Sequence, residues 1–179
     1  MDFSNNKTPD VARAFLNQAR TYLRDDYLPK IERCLQQLTD DQIWFRSNAV
    51  SNSIGNLVLH LCGNATQWIL SGLGGKPDHR DRDSEFLQRE IISRDDLLEN
   101  LRVTITEVAT VLDSMDQKIL LENRIIQGNP VDVLEAVFHV TEHFSMHTGQ
   151  IILLTKILAE ADLEFYDFSS GAPVINWDR

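Results

Sequence analysis

The chain is poor in cysteine, in positive charge and in long apolar runs, and each shortage excludes something. Cys34 and Cys62 are its 2 cysteines. They form neither a CxxC pair nor a disulfide framework, which points to a reducing, cytoplasmic setting. Cys62 has apolar neighbours and reads as a buried packing residue. Lys and Arg total 17 against 27 Asp and Glu, a net charge of −10 with no basic cluster to offset it. Such a surface repels phosphate backbones and anionic headgroups, so nucleic acid and membranes are excluded as partners; the acidity serves solubility. No apolar stretch approaches the ~20 residues that span a bilayer. The first ten residues, MDFSNNKTPD, lack the basic and apolar regions of a leader.

What remains is an ordinary globular composition, 42% hydrophobic and 25% charged over 179 residues. That length predicts one domain, residues 1–179, with a sizeable core. Four long helical patterns organise it. The first opens with Thr8 as cap and Pro9 at the first helical position, and carries Val11, Phe15, Ala19, Tyr22 and Leu23 on one face. Pro29 predicts a kink or break before the pattern resumes through Ile31, Leu35 and Leu38. The second runs from about Ser53 to Ser71, with Ile54, Leu57, Val58, Leu61, Ala65, Trp68 and Ile69 as its apolar stripe; Gly72, Gly74 and Gly75 stop it. Residues 73–92 are charged and read as a long loop with a short helix toward its end. The third opens at Ser93, with Asp96 in the place of a capping-box glutamate, and continues to about Met115. KILLENRII then looks strand-like, and Gln127-Gly128-Asn129-Pro130 has turn chemistry, so a short hairpin or an extended crossover is expected there. The fourth pattern runs from near Pro130 to about Ala161. The aromatic tail, with Phe165, Tyr166, Phe168 and Trp177, is expected to pack onto the body. These elements predict an all-α, four-helix up-down bundle with long connections.

The chemistry lies in the histidines. Among the 5 in the chain, His139, His143 and His147 are spaced i, i+4, i+8 on the last helix. Each step of four advances about 6 Å and turns about 40°, so all three project from one stripe. Neighbours four apart can converge on one ion. The outer two, about 12 Å apart along the axis, cannot. The chelating pair is therefore either His139/His143 or His143/His147. A third ligand must come from another element. His60, midway along the second helix, is the first candidate, and His79 in the charged loop is the weaker one. Several imidazoles buried in an apolar bundle are costly unless each finds a partner, and a metal satisfies them together; the rival is a hydrogen-bonded histidine network without metal. HExxH is absent. HxxEH is present at His139 to His143 and would make Glu142 a general base in an inverted zinc-protease site. That fold has much more chain after its motif, so Glu142 reads as a solvated helix residue.

At LVLHL on the second helix and EHFSMHTGQI on the last, the sequence resembles the DinB-like, YfiT-type metalloenzyme superfamily, which includes the bacillithiol S-transferase. The HxxxHxGQ element is the most specific part, and the resemblance covers nearly the whole chain. It implies an unusual four-helix bundle of DinB type holding a divalent metal with a histidine triad. By position, the triad falls on His60, His143 and His147. His139 then lies one turn before the site, as a pocket or packing residue. Gly149 would permit close helix approach, and Gln150 would reach a ligand imidazole, a substrate or a backbone group. Arg80, Arg82 and Arg89 could bind a carboxylate at the bundle mouth, or form a surface charge run. The resemblance implies a small-molecule substrate and a low-molecular-weight thiol as partner, with zinc or nickel as the cofactor. The expected activity is a transferase or hydrolase, with a non-enzymatic metal-binding or stress-response role as the alternative. A homodimer is a further expectation.

Overall fold

In the computed structural model, residues 11–177 are described. The first long helix, α1 (11–36), joins two α-helical stretches, Val11–Thr21 and Leu28–Gln36, through a π-helical turn at Tyr22–Tyr27. Pro29 explains the turn: its ring lacks an N–H and crowds the carbonyl four residues back. Widening the helix, so that the Leu28 N–H donates to the Leu23 carbonyl, accommodates that conflict. The interruption expected at Pro29 is thus absorbed within a continuous helix and does not break it. The cap expected at Thr8 and Pro9 lies outside the described residues.

A short helix, α2 (Asp40–Ile43), leads to the second long helix, α3 (54–71), made of Ile54–Ala65 and a π-helical end at Thr66–Ser71. Its start is set by a reciprocal cap. The Asn56 N–H donates to Ser53 Oγ at 3.1 Å, and the Ser53 N–H to Asn56 Oδ1 at 3.2 Å. Within the charged segment 73–92, Asp81 caps α4 (Arg82–Leu87), the short helix expected there. The third long helix, α5 (Arg94–Ser114), is capped by Ser93, whose Oγ accepts from the Asp96 N–H at 3.1 Å.

The expected hairpin is present as β1 (Asn123–Ile126) paired antiparallel with β2 (Asn129–Asp132). Its two turn residues, Gln127 and Gly128, have φ of 53° and 77°, the left-handed pair that a two-residue hairpin needs. The last helix, α6 (Val133–Ala159), therefore begins after Pro130, which belongs to β2 opposite Ile125. Asp132 caps it by accepting from the Glu135 N–H at 2.7 Å. The tail forms a second small hairpin, β3 (Tyr166–Asp167) with β4 (Val174–Ile175). It is tied to α1 by Arg33 donating to the Asn176 carbonyl at 2.6 Å and by Lys30, which lies 5.4 Å from the Trp177 ring centre.

One apolar cluster joins the four long helices. It includes Leu16, Leu23 and Ile31 of α1, Val58 and Leu61 of α3, Leu101 and Ile105 of α5, and Val137, Val140 and Phe144 of α6. Each such side chain contributes about 1.5–3 kcal/mol on burial. The protein is an all-α bundle, as the hydrophobic periodicity predicts, and the strand pair in the tail is an addition to that expectation. No described helix is long and apolar enough to cross a membrane. For function, the important consequence is that α3 packs against α4, α5 and α6 together.

Candidate metal centre

His60 projects from the middle of α3 into the bundle, and His143 and His147 meet it from α6. One ring nitrogen from each residue lies within 4.8 Å of the other two. The closest pair is His60 Nε2 and His143 Nε2, at 2.9 Å. The rings stand edge to face, with centres 4.4 Å apart for His143 and His147 and 5.2 Å for His60 and His147. His60 and His147 are buried, and His143 is half-buried. These three residues could hold a metal ion. Of the two pairs left open by helical spacing, the structure brings together His143 and His147.

The outward nitrogens of two members are engaged. His60 Nδ1 lies 2.8 Å from Glu85 Oε2, and His147 Nδ1 lies 2.7 Å from Gln150 Oε1. Both ring nitrogens that face away from the cluster thus meet acceptors, an arrangement that leaves the inward nitrogens available. Of the three roles the sequence leaves open for Gln150, the structure shows contact with an imidazole, that of His147.

The electrostatics favour neutral rings at His143 and His147. Burial pushes the His143 pKa down to about 3, helped by its neighbours His147, His60 and His139 and by Arg80. Burial also lowers His147, although its hydrogen bond with Gln150 works the other way. For Glu85, burial favours the protonated form, but the hydrogen bonds from His60 and Arg80 outweigh it, and its pKa lies below the ordinary carboxylate value. The carboxylate is therefore ionised and can only accept hydrogen bonds.

The other candidates resolve differently. His139 is outside the three-residue group. Its Nε2 lies 3.2 Å from Asn64 Nδ2, and its ring centre is 4.1 Å from that of Trp68 and 5.4 Å from that of His143. His79 is exposed and apart from the cluster. Glu142 is exposed on α6, as a solvated residue would be. Arg80 does bind a carboxylate, but it is the chain's own Glu85. Arg82 lies over the Phe86 ring at 4.9 Å, and Arg89 donates to the Phe86 carbonyl at 2.6 Å. Cys62 is buried, and burial pushes its thiol up to about 12.

Gly149 does not play the part expected of it. It is exposed, and a Cβ added there would meet nothing within 4 Å, so it permits no close helix approach. Close approach beside the cluster occurs instead at Gly63, where a Cβ would come within 1.9 Å of Glu85 Oε1. Sequence reasoning missed Glu85 and Gly63 together. The available signal was a glycine three residues after His60, on the same side of α3, facing a segment with a capped turn at Asp81.

These features define a helical bundle with a buried three-histidine cluster. Residues 10–171 match the family described as "Protein of unknown function (DUF1572)", and the chain belongs to that family. Two solved structures share the fold. One is a DinB-like protein from Bacillus cereus, 18% identical, covering 90% of this chain and 93% of that one at a TM-score of 0.60. The other is a conserved protein from Enterococcus faecalis, 16% identical, covering 87% and 99% at a TM-score of 0.59. No curated protein matches the sequence.

Proposed function

We propose that the chain binds one divalent ion, zinc or nickel, through His60, His143 and His147, and acts as a metal-dependent transferase or hydrolase on a small molecule. The observation that carries this reading is the convergence of three imidazoles whose buried members are oriented from behind by Glu85 and Gln150. A neutral His143 has its lone pair available at physiological pH. Three neutral ligands leave the ion's charge uncompensated and, in tetrahedral geometry, one position open. When bound, such an ion lowers the pKa of a coordinated water or thiol and polarises a carbonyl.

The chain's own contribution is orientation and access. His60 is enclosed, with the Phe86 ring 4.5 Å away, whereas His143 is only half-buried, so a substrate would approach on the His143 side. A low-molecular-weight thiol is the co-substrate that the DinB-like resemblance suggests for the transferase case. Zinc and nickel both accept imidazole nitrogen, and affinity order alone does not choose between them. A purely structural or storage role would need a closed coordination sphere. A cluster of three histidines, among the described residues, favours the open, reactive alternative.

Metal content per chain, measured by mass spectrometry after chelation and stoichiometric reloading, tests this directly. Wild type should retain about one ion, His60→Ala, His143→Ala and His147→Ala should lose it, and His139→Ala should keep it. A wild type that retains none would reduce the cluster to a hydrogen-bonded core network and remove the basis for metal chemistry.

A further inference from the structure

Resting on the metal reading of the cluster, we infer that Glu85, clamped by Arg80 over Gly63, is a positioning residue that fixes the tautomer of His60 and aims its Nε2 lone pair into the cluster. His60 is the one ligand candidate that α6 does not supply, so its orientation decides whether two helices can share an ion. An imidazole on a helix can carry its proton on either nitrogen, and only the Nδ1–H form offers Nε2 as a ligand.

The surroundings of Nδ1 choose between the forms. Two groups compete for it: Glu85 Oε2 at 2.8 Å and Arg80 Nη2 at 3.2 Å. The guanidinium only donates and would favour a bare Nδ1; the carboxylate only accepts and favours Nδ1–H. Arg80 uses three of its five N–H donors on other acceptors, and its remaining Nη2 hydrogen meets Nδ1 only at the longer distance. Its Nε donates to Glu85 Oε1 at 2.8 Å, its Nη2 to Glu85 Oε2 at 3.0 Å, and its Nη1 to Gln67 Oε1 at 3.0 Å. A bare Nδ1 would put two lone pairs face to face across 2.8 Å inside a buried site, a costly contact where solvent screens little. The carboxylate therefore wins, and the proton is on Nδ1.

Gly63 makes this possible. Glu85 is on α4, and its Oε1 occupies the space where a side chain at position 63 would begin. The bidentate Arg80 clamp then fixes the carboxylate plane, leaving Oε2 aimed at His60. A cavity of about 470 Å³, lined in part by Gly63, Arg80 and Glu85, lies beside this arrangement. It gives a displaced carboxylate somewhere to go, so a side chain at 63 can move Glu85 without dismantling the bundle.

The test reads the His60 tautomer in the metal-free, 15N-labelled full-length chain by long-range proton–nitrogen NMR, and metal affinity separately, by competition with a fluorescent zinc chelator. Wild type is expected to show His60 protonated on Nδ1. Glu85→Ala should shift His60 toward the Nε2–H form and weaken zinc binding by roughly 10–100-fold, the usual cost of removing a partner behind a ligand histidine. Glu85→Gln, which keeps an accepting oxygen, should restore much of both. Gly63→Ala should reproduce the Glu85→Ala pattern with the carboxylate still in the chain, and it serves if Glu85→Ala fails to fold. A wild-type His60 on the Nε2–H tautomer overturns the inference outright, as does a Glu85→Ala chain with unchanged tautomer and unchanged affinity. If wild type takes up no zinc but His60 still changes tautomer in Glu85→Ala, the metal reading falls and the positioning by Glu85 stands.

Discussion

At the scale of the residue, the histidines carry a consequence for pH. Burial holds His143 at about 3, against 6.5 for the free side chain, and also lowers His147 and His139. The folded chain keeps these rings neutral while the unfolded chain protonates them near 6.5. Stability is therefore fully present above that value and is lost as pH falls toward the folded pKa values. Glu85, lowered from 4.5, adds its own loss only at pH values below that figure. Between pH 7.5 and 5 the histidines dominate. The urea midpoint of the metal-free protein should fall steadily over that range, and more gently in His143→Gln. A flat profile would mean that the rings are solvated in solution. The same residues mark how far spacing can be read. The i, i+4, i+7 spacing placed His143, His147 and Gln150 on one face without any tertiary knowledge. Glu85 could not be read that way, because an acidic residue in a charged run looks solvated until Arg80 is found beside it.

At the scale of the element, helix boundaries were legible where a cap or a turn residue marks them. Ser53, Ser93 and the Gln127-Gly128 pair each act locally, through a hydroxyl on an N–H or a left-handed φ. Boundaries set by competition were not. Pro29 has two physical outcomes, a break or a widened turn, and burial of Leu23 and Ile31 on both sides of it keeps the helix whole. Pro130 could start a helix or lie within a strand, and pairing with β1 decides for the strand. Close contacts belong to this scale too. A Cβ at Gly55 would come within 2.7 Å of the Trp44 ring, which is anchored by its Nε1 donating to the Ile92 carbonyl at 2.9 Å. That ring cannot swing away freely. Gly55→Ala should destabilise by about 1–3 kcal/mol, the range for an overpacked core. Urea denaturation would check it, and a neutral effect would show that Trp44 adapts.

At the scale of the whole molecule, the cluster bridges α3 and α6, and α4 closes behind it through Glu85. An ion bound there would tie these elements together in the folded state alone. Such a ligand stabilises by mass action, about 2.7 kcal/mol when free zinc is a hundred times its Kd. The thermal midpoint should rise with added zinc and return on chelation, and His60→Ala should abolish the rise. Zinc that leaves the wild-type midpoint unchanged would count against a site formed by folding.

What the sequence by itself determined is local or periodic: four amphipathic helices, the hairpin turn, and the stripe of imidazoles on the last helix. Each follows from bonds or side chains within about two helical turns, where chain connectivity already sets the geometry. What only the tertiary structure decided is which groups meet across elements. The approach of His60 to His143, the burial of Glu85 against Gly63, and the open space around Gly149 depend on how helices far apart in the chain are brought together. That arrangement is an outcome of packing the whole core, in which a one-residue spacing rule has no say.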